Sequence, residues 1–391
     1  GPYRVGRFEQ GRFIEYERVK DYWAKDLPFA LGSNNFDVLR IEFYRERQAA
    51  FEAFKKGKIV WREEFTSKIW ATEYNFPAMK ENRARKELFA DEPIPALQGW
   101  ACNMRRTKLA NPLTRQAIGL CFDFEWTNTN FFYDAYTRSS SFFENSTFAA
   151  TDKPSQEELA HLEPLRSQLS DEAFGSAVTQ PVSDGSGRDR KMLRQANQLF
   201  MAAGWIRDGK ILVDKNGAPF TLEFLIRSPT FERILGKFVA NLNALGVQAS
   251  IRLVDPSQYQ KRLDEFDFDI TGTARAFGAL PTADTLKQLF GSAAASTPGA
   301  PNLAGIKEPA IDTLIEKISS AQNLDELTIL LRALDRVLRS THSWIPNWYS
   351  ANHRVAYWDM FGVPDRKPTY GFSPELFWWF DKDKAKAIGK A

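Results

Sequence analysis

The sequence predicts an α/β fold of two or more domains, and three observations carry that prediction. The chain has 391 residues, 43% hydrophobic and 26% charged, enough to bury a sizeable core. Between residues 220 and 272 the apolar spacing switches from period two to period 3.6 and back twice, a β-α-β-α-β unit. A looser alternation of strand and helix signals fills the first 125 residues.

In chain order, Tyr3 to Phe8 and Phe13 to Val19 are extended runs around Gln10-Gly11 and predict a hairpin. FDVLRIEFY (36–44) reads as a strand. Gln48 to Lys56 reads as a helix with Ala50, Phe51 and Phe54 on one face, stopped by Gly57. A strand at 59–61, a helical stretch from Ser67 to near Pro77 and a strand at 97–104 follow. Asn111-Pro112 places an N-cap and a first-turn proline before a helix that turns Leu113, Ala117, Leu120 and Cys121 inward. Ser139 to Ser141 and residues 175–188 are loops, flanking a helix that Ser155 and Glu158 open as a capping box. A helix over 195–203 ends at Gly204, and Asp208-Gly209 and Asn216-Gly217 turn the chain around ILVD into TLEFLIR. Phe231, Ile234, Leu235, Phe238, Leu242 and Leu245 keep helical spacing up to Gly246; IRLVD is a strand, 255–265 a helix and FDFDITG a strand. Helices at 309–319 and 324–339 precede two short strand-like runs, SWIPNWYS and HRVAYW. If those runs join the first domain's sheet, the chain crosses between domains twice, the connectivity of hinged binding proteins.

Composition excludes several classes. A net charge of +3, from 52 basic and 49 acidic residues without a Lys/Arg block, argues against a nucleic-acid partner. No stretch approaches the ~18 apolar residues needed to span a membrane. His161, His342 and His353 lie far apart without Cys or His partners, so no metal site and no cofactor is expected. Cys102 and Cys121 lack a CxxC spacing, and two free buried thiols are favoured over a disulfide. Aromatics reach 14%, including the run Phe377-Trp378-Trp379-Phe380, which suits thick cores and also the walls of a cleft for a bulky ligand.

A series of motifs then carries a resemblance. GPYRV with DYWAKDLP, AFEAFKKGKI, GWACNMRRTKLANPLTRQAIGLCFDFEW, LFMAAGW, DPSQYQKRLDEFDFDI, NLAGIKEPAIDTLIEKI and IPNWYSANHRVAYWDMFG occur in the order found in family 5 extracellular solute-binding proteins. The chain resembles the oligopeptide-binding, YejA-like members of that family over essentially its whole length. The resemblance implies a two-lobed type II periplasmic-binding-protein fold with hinged lobes: lobe I over 1–143, lobe II over 144–342 and a return segment over 343–391. It further implies a periplasmic, monomeric component of an ABC importer that holds a peptide or peptide-like solute in an interlobe cleft and delivers it to inner-membrane permease subunits. In the family pattern GPYRV lies well inside lobe I. The expectation is therefore a chain lacking its N-terminal portion, with the signal peptide and part of the lobe I sheet in the missing segment.

Peptide recognition of this kind runs through strand-like backbone hydrogen bonds and aromatic walls. Candidate ligand-binding residues are Trp100 and Asn103, an indole wall and a donor–acceptor amide. Phe142 and Phe143 are candidates after the first crossing, and Tyr349, Asn352 and His353 on the return segment. The loop from Ala274 to Pro281 follows the last strand of the β-α-β-α-β unit, at a carboxyl end where ligands sit in α/β sheets. In many oligopeptide binders the matching stretch holds a Trp and an Asp for the peptide's α-amino group. Here Ala274 and Phe277 fall near those places and Arg275 is the nearest charge, which favours a carboxylate or phosphate over an ammonium.

No nucleophile motif is present: there is no GxSxG, Walker loop or HExxH. Asp264, Glu265, Asp267 and Asp269 could in principle supply paired carboxylates, which keeps a carbohydrate-binding or glycoside-hydrolysing protein with an aromatic cleft as the alternative. Asp267 and Asp269 alternate with Phe266, Phe268 and Ile270, however, which reads as the polar face of a strand. A binding component without catalytic residues is the expected function.

Overall fold

Alternation along a single strand, Ala96–Cys102, organises the larger half of the molecule. Leu97 and Ala101 project to one side and Trp100 and Cys102 to the other, and every one of the four is buried. A strand buried on both faces belongs at the centre of a sheet. In the computed structural model, which describes residues 1–90, 94–369 and 371–390, it is flanked by Ile270–Ala276 and Trp344–Pro346, both antiparallel to it. Thr221–Ile226 pairs parallel with Ile270–Ala276, and Gln248–Leu253 parallel with Thr221–Ile226, closing a five-stranded mixed sheet.

The chain divides into two compact units, residues 1–92 with 351–391 and residues 93–350. This differs from the expected boundaries at 143/144 and 342/343. The reason is the 96–102 strand, which pairs with the strands of the second unit and takes the helix Pro112–Leu120 with it.

In the 93–350 unit, helices cover both faces of the sheet. Thr230–Ala244, Arg190–Ala202 and Pro112–Leu120 pack on the Trp100 side, and Pro256–Asp264, Ala283–Phe290, Pro309–Ser319 and Leu324–Ser340 on the Leu97 side. The caps agree with the sequence. Asn111 accepts from Leu113 N, Asp255 from Ser257 N and Gln258 N, and Ser155 from Glu158 N. The capping box at Ser155 is only half formed, because the Glu158 carboxylate turns inward to a buried ion pair with Arg336.

That pair is part of a larger buried network on the helix Leu324–Ser340. Asp335, fully buried, accepts from Ser141 Oγ, Phe142 N and Ala150 N and pairs with Arg339 at 2.5 Å. Arg336 and Arg339 donate to the carbonyls of Thr151, Asp152, Ala150 and Val178. The loop that carries Phe142, Phe143 and Phe148 into the core is thereby also fixed by charge.

In the unit of residues 1–92 with 351–391, the predicted hairpin is present as Tyr3–Glu9 and Phe13–Arg18, extended by Val38–Glu42 into a three-stranded sheet. A second sheet places Asn352–Trp358 between Trp61–Glu63 and Ala84–Ala90. HRVAYW thus joins the first unit, as the crossing argument anticipates, whereas SWIP joins the sheet of the second. The strand Ala84–Ala90 is absent from the sequence reading because ARKELFA offers no apolar alternation. Its pairing with a strand more than 260 residues away creates it. Phe51, Phe54, Tyr74 and Phe76 form the aromatic core here, with Trp358 Nε1 donating to Phe54 O at 2.9 Å.

One strand boundary moves. FDFDITG was expected to be a strand throughout, but the strand is Ile270–Ala276. Phe266 has φ +53° and ends the preceding helix, and Asn103 Nδ2 donates to the carbonyls of Phe266 and Phe268, holding 266–269 as a bend.

Asp335→Ala would leave Arg339 buried beside three orphaned donors. We expect a loss of about 3–5 kcal/mol, read as a lower midpoint in urea unfolding of the 93–350 unit, where an unchanged midpoint would show that the network is not a stabilising anchor.

Candidate functional site

The strands Thr221–Ile226 and Ile270–Ala276 pair only at Phe224↔Ile270 and Leu225↔Thr271 and then part. Their connections leave in opposite directions. Thr230–Ala244 covers one face on the way to Gln248–Leu253, and Pro256–Asp264 covers the other on the way back. A crevice outside the carboxyl ends of strands at such a switch point is where open α/β sheets hold ligands. A cavity of about 580 Å³ lies there, wholly within the 93–350 unit.

Three kinds of group line it. Trp100, Phe231 and Tyr259 supply aromatic surface; Arg227, Arg275 and Asp264 supply charge; Gln98, Ser228, Thr273 and Asn347 supply neutral polar groups. The Trp100 ring lies across Gly272, where a Cβ would sit 2.6 Å from the indole, and meets Phe231 edge-on at 5.4 Å. Tyr259 Oη hydrogen-bonds with Thr271 Oγ1 at 2.8 Å and donates to Gly272 O at 3.2 Å, and burial raises its phenol above the usual range. Beyond Gly272, the backbone edge of 273–276 that faces away from Ala96–Cys102 has no ladder partner among the described residues. Such an edge offers donors and acceptors to an added extended chain.

Arg275 is exposed, with no ion-pair or hydrogen-bond partner among the described residues. Arg227, at the end of Thr221–Ile226, is likewise exposed and touches only the Tyr259 ring, at 5.5 Å. The cavity mouth thus carries two uncommitted cations. Asp264, the one carboxylate in the lining, accepts from Gln260 Nε2 at 2.8 Å.

Of the residues singled out from sequence, the structure brings Trp100, Ala274 and Arg275 to this cavity. It places the other seven elsewhere. Asn103 is fully buried, donating to Phe266 O and Phe268 O while its Oδ1 accepts from Arg105, so its amide is spent on the 266–269 bend. Phe142, Phe143 and Phe277 belong to the core beneath the sheet. Phe142 packs on Phe290 and Trp344, and Phe143 on Phe277 at 5.2 Å. Tyr349 is half-buried opposite Thr137 in the 93–350 unit, its phenol raised by burial and by the Glu144 carboxylate. Asn352 and His353 lie in the other unit, where His353 Nδ1 meets Glu63 Oε1 at 2.6 Å and stacks on Phe372 at 4.3 Å. Arg227, Phe231, Tyr259 and Asn347 were missed. A basic residue ending a parallel strand was a legible signal for Arg227, whereas Asn347 reaches the cavity only through the pairing of Trp344–Pro346.

The acidic cluster is dispersed among cations. Asp267 pairs with Arg106 at 2.8 Å and Arg262 at 3.1 Å, and Asp269 with Lys108 at 2.7 Å while accepting from Glu223 N. Asp267 and Asp269 precede the strand rather than forming its polar face. Among the described residues no group of three or more His, Cys, Asp or Glu is placed to hold a metal ion. Cys102 and Cys121 are free and buried, and burial pushes both thiols upward, Cys102 to about 12.

Comparison with known proteins bears on this geometry. The family model described as "Bacterial extracellular solute-binding proteins, family 5 Middle" matches residues 1–297. The chain is 38% identical over 385 residues to the probable peptide-binding protein YejA of Agrobacterium fabrum, covering 98% of this chain and 62% of that protein. It is 37% identical over 395 residues to the uncharacterized protein YejA of Escherichia coli, covering 100% and 64%. The chain therefore spans less than two thirds of the length of these curated relatives. Among solved structures, the oligopeptide-binding protein AppA of Bacillus subtilis, in complex with a nonapeptide, superposes with a TM-score of 0.70 at 16% identity, over 98% of this chain and 66% of that one.

Gly272→Ala would force the Trp100 ring off the strand. We expect about 1–3 kcal/mol of destabilisation from this overpacking, together with altered near-ultraviolet circular dichroism; a variant with wild-type stability and spectrum would mean that the ring is free to move.

Proposed function

The chain belongs to the bacterial extracellular solute-binding proteins of family 5, with the type II periplasmic-binding-protein fold, and from that premise we propose that it captures peptides or peptide-like solutes for an ABC importer. The observation that carries the reading is the cavity at the parting of Thr221–Ile226 and Ile270–Ala276, where an open strand edge lies beside aromatic walls. A peptide adds to such an edge through its backbone, so affinity is independent of sequence while the cavity selects among side chains. The names of the relatives support the same class: the Agrobacterium protein is described as peptide-binding, and the Bacillus protein holds a nonapeptide.

The remaining parts of the proposal rest on family membership. They are a periplasmic location, delivery to permease subunits in the inner membrane, action as a monomer, and binding without turnover. Of the carboxylates that a glycoside-hydrolysing alternative would need, Asp267 and Asp269 are held by Arg106, Lys108 and Arg262.

Arg275, and beside it Arg227, faces the ligand as an uncommitted cation. It pairs with a carboxylate or other anionic group of the solute.

Calorimetric titration against peptide and oligosaccharide pools, with hydrolysis followed on the same samples, tests the class. Peptide binding without product is expected; peptide cleavage abolished by Asp267→Asn, or binding of sugars alone, would overturn the reading. For Arg275→Ala we expect binding weakened roughly 10- to 100-fold, from a charge-assisted bond of ~1.5–3 kcal/mol, with a nearly unchanged melting temperature. Unaltered affinity would return Arg275 to the solvated surface.

A further inference from the structure

Two residues that line this cavity each carry a polar atom that is buried without a partner. Trp100 Nε1 is a donor only and Asn347 Oδ1 an acceptor, on side chains 1% and 2% exposed, and neither makes a hydrogen bond. Buried polar groups are nearly always paired, and leaving one unpaired is unfavourable, so each such group asks for an explanation. Of the other polar side chains in the lining, Tyr259 Oη is committed to Thr271 and Gly272, and Gln260 Nε2 to Asp264.

The sheet places the two groups on one face. Ile345 pairs with Trp100 and Pro346 with Gly99, and Asn347 N donates to Gln98 O at 3.0 Å, so Asn347 stands opposite Gln98. Gln98, Trp100 and Asn347 therefore project to the same side, with Trp100 and Asn347 as diagonal cross-strand neighbours, roughly 7–8 Å apart. The main chain of Asn347 is held, its N–H donating to Gln98 O and its carbonyl accepting from Ser139 N. Trp100 is held by Gly272 and Phe231.

We propose that Trp100 Nε1 and Asn347 Oδ1 together hold one uncharged amide group of the ligand, its C=O accepting from the indole and its N–H donating to the asparagine. The inference rests on the peptide-binding reading and deepens it. The pairing fits an amide and few other groups. With Asn347 Oδ1 turned to the ligand, a carboxylate or phosphate would meet its lone pairs, an ammonium would meet the indole N–H, and an ester would leave Oδ1 unpaired. Because a site built to hydrogen-bond an N–H rejects analogues lacking it, this pair sets the register in which the ligand lies, while Arg275 and Arg227 at the mouth act on its charge.

The test uses the best-retained member of an equimolar tripeptide-to-pentapeptide library, selected on the wild-type protein, and a series of its analogues in which each amide in turn is replaced by an ester. Wild type, Trp100→Phe, Asn347→Leu and the double variant are titrated by calorimetry. We expect one ester position to weaken wild-type binding about tenfold, from the loss of one hydrogen bond, and that sensitivity to vanish in Asn347→Leu. Each single variant should lose about tenfold with the parent peptide, and the double variant less than the product, because both touch one group. The melting temperature of ligand-free Asn347→Leu should be unchanged or higher, since an unpaired buried acceptor is removed; a fall would assign Asn347 a structural role and overturn the proposal. Should Asn347→Leu fail to fold, a shift of the Trp100 indole 1H–15N resonance on peptide binding, assigned through Trp100→Phe and missing with one ester analogue, decides the matter. Peptides that bind all variants equally would mean that water alone fills the site, overturning the amide pairing while leaving the peptide-binding reading intact. No retained library member at all would overturn both.

Discussion

The parting of two parallel strands after Leu225↔Thr271 is the constraint on which the rest of the candidate site depends. A sheet held together to its ends would bury its backbone groups in ladders. Here one strand continues for five residues with its outer edge open, and the helices that leave the two strands, Thr230–Ala244 and Ala283–Phe290, lie on opposite faces. The gap so formed is walled by side chains from both cores of the unit, Trp100, Ile226 and Phe231 from one and Leu225, Tyr259 and Leu263 from the other. A local change there would therefore be felt in both layers, since close-packed interiors transmit displacement rather than absorb it.

The charges of the molecule divide by the same logic. Arg105, Arg115, Arg336 and Arg339 are drawn into the interior, where they donate to backbone carbonyls. Burial lowers the Arg105 guanidinium to about 10, a measure of the desolvation that its carbonyl partners must offset. Arg106, Lys108 and Arg262 neutralise Glu223, Asp267 and Asp269 at the other end of the strands. Near the cavity, Arg227 and Arg275 have no carboxylate partner among the described residues. The basic run RRTK thus serves the fold, while these two arginines line the cavity.

The sequence by itself determined the α/β class, most of the helices of the second unit, the hairpin at the front and the family. These are written in local periodicity, caps such as Asn111 and Asp255, and long ordered motifs. It also singled out Arg275, but as part of a loop after FDFDITG, whereas the strand runs on to Ala276 and holds Arg275 within it. Tertiary structure alone decided the partners of each strand. Residues 96–102 read equally well as a strand of either unit, and only their pairing with 270–276 and 344–346 moved the domain boundary and buried Phe142, Phe143 and Phe277 beneath the sheet. Asn103 and Asn347 are the same residue type beside the same kind of strand. One is consumed by the carbonyls of Phe266 and Phe268 and the other left unpaired in a cavity, a difference set by contacts more than 160 residues apart in one case and by a register more than 240 residues apart in the other. Local sequence specifies what a side chain can do; which groups it meets depends on non-local pairing, to which periodicity and capping are blind.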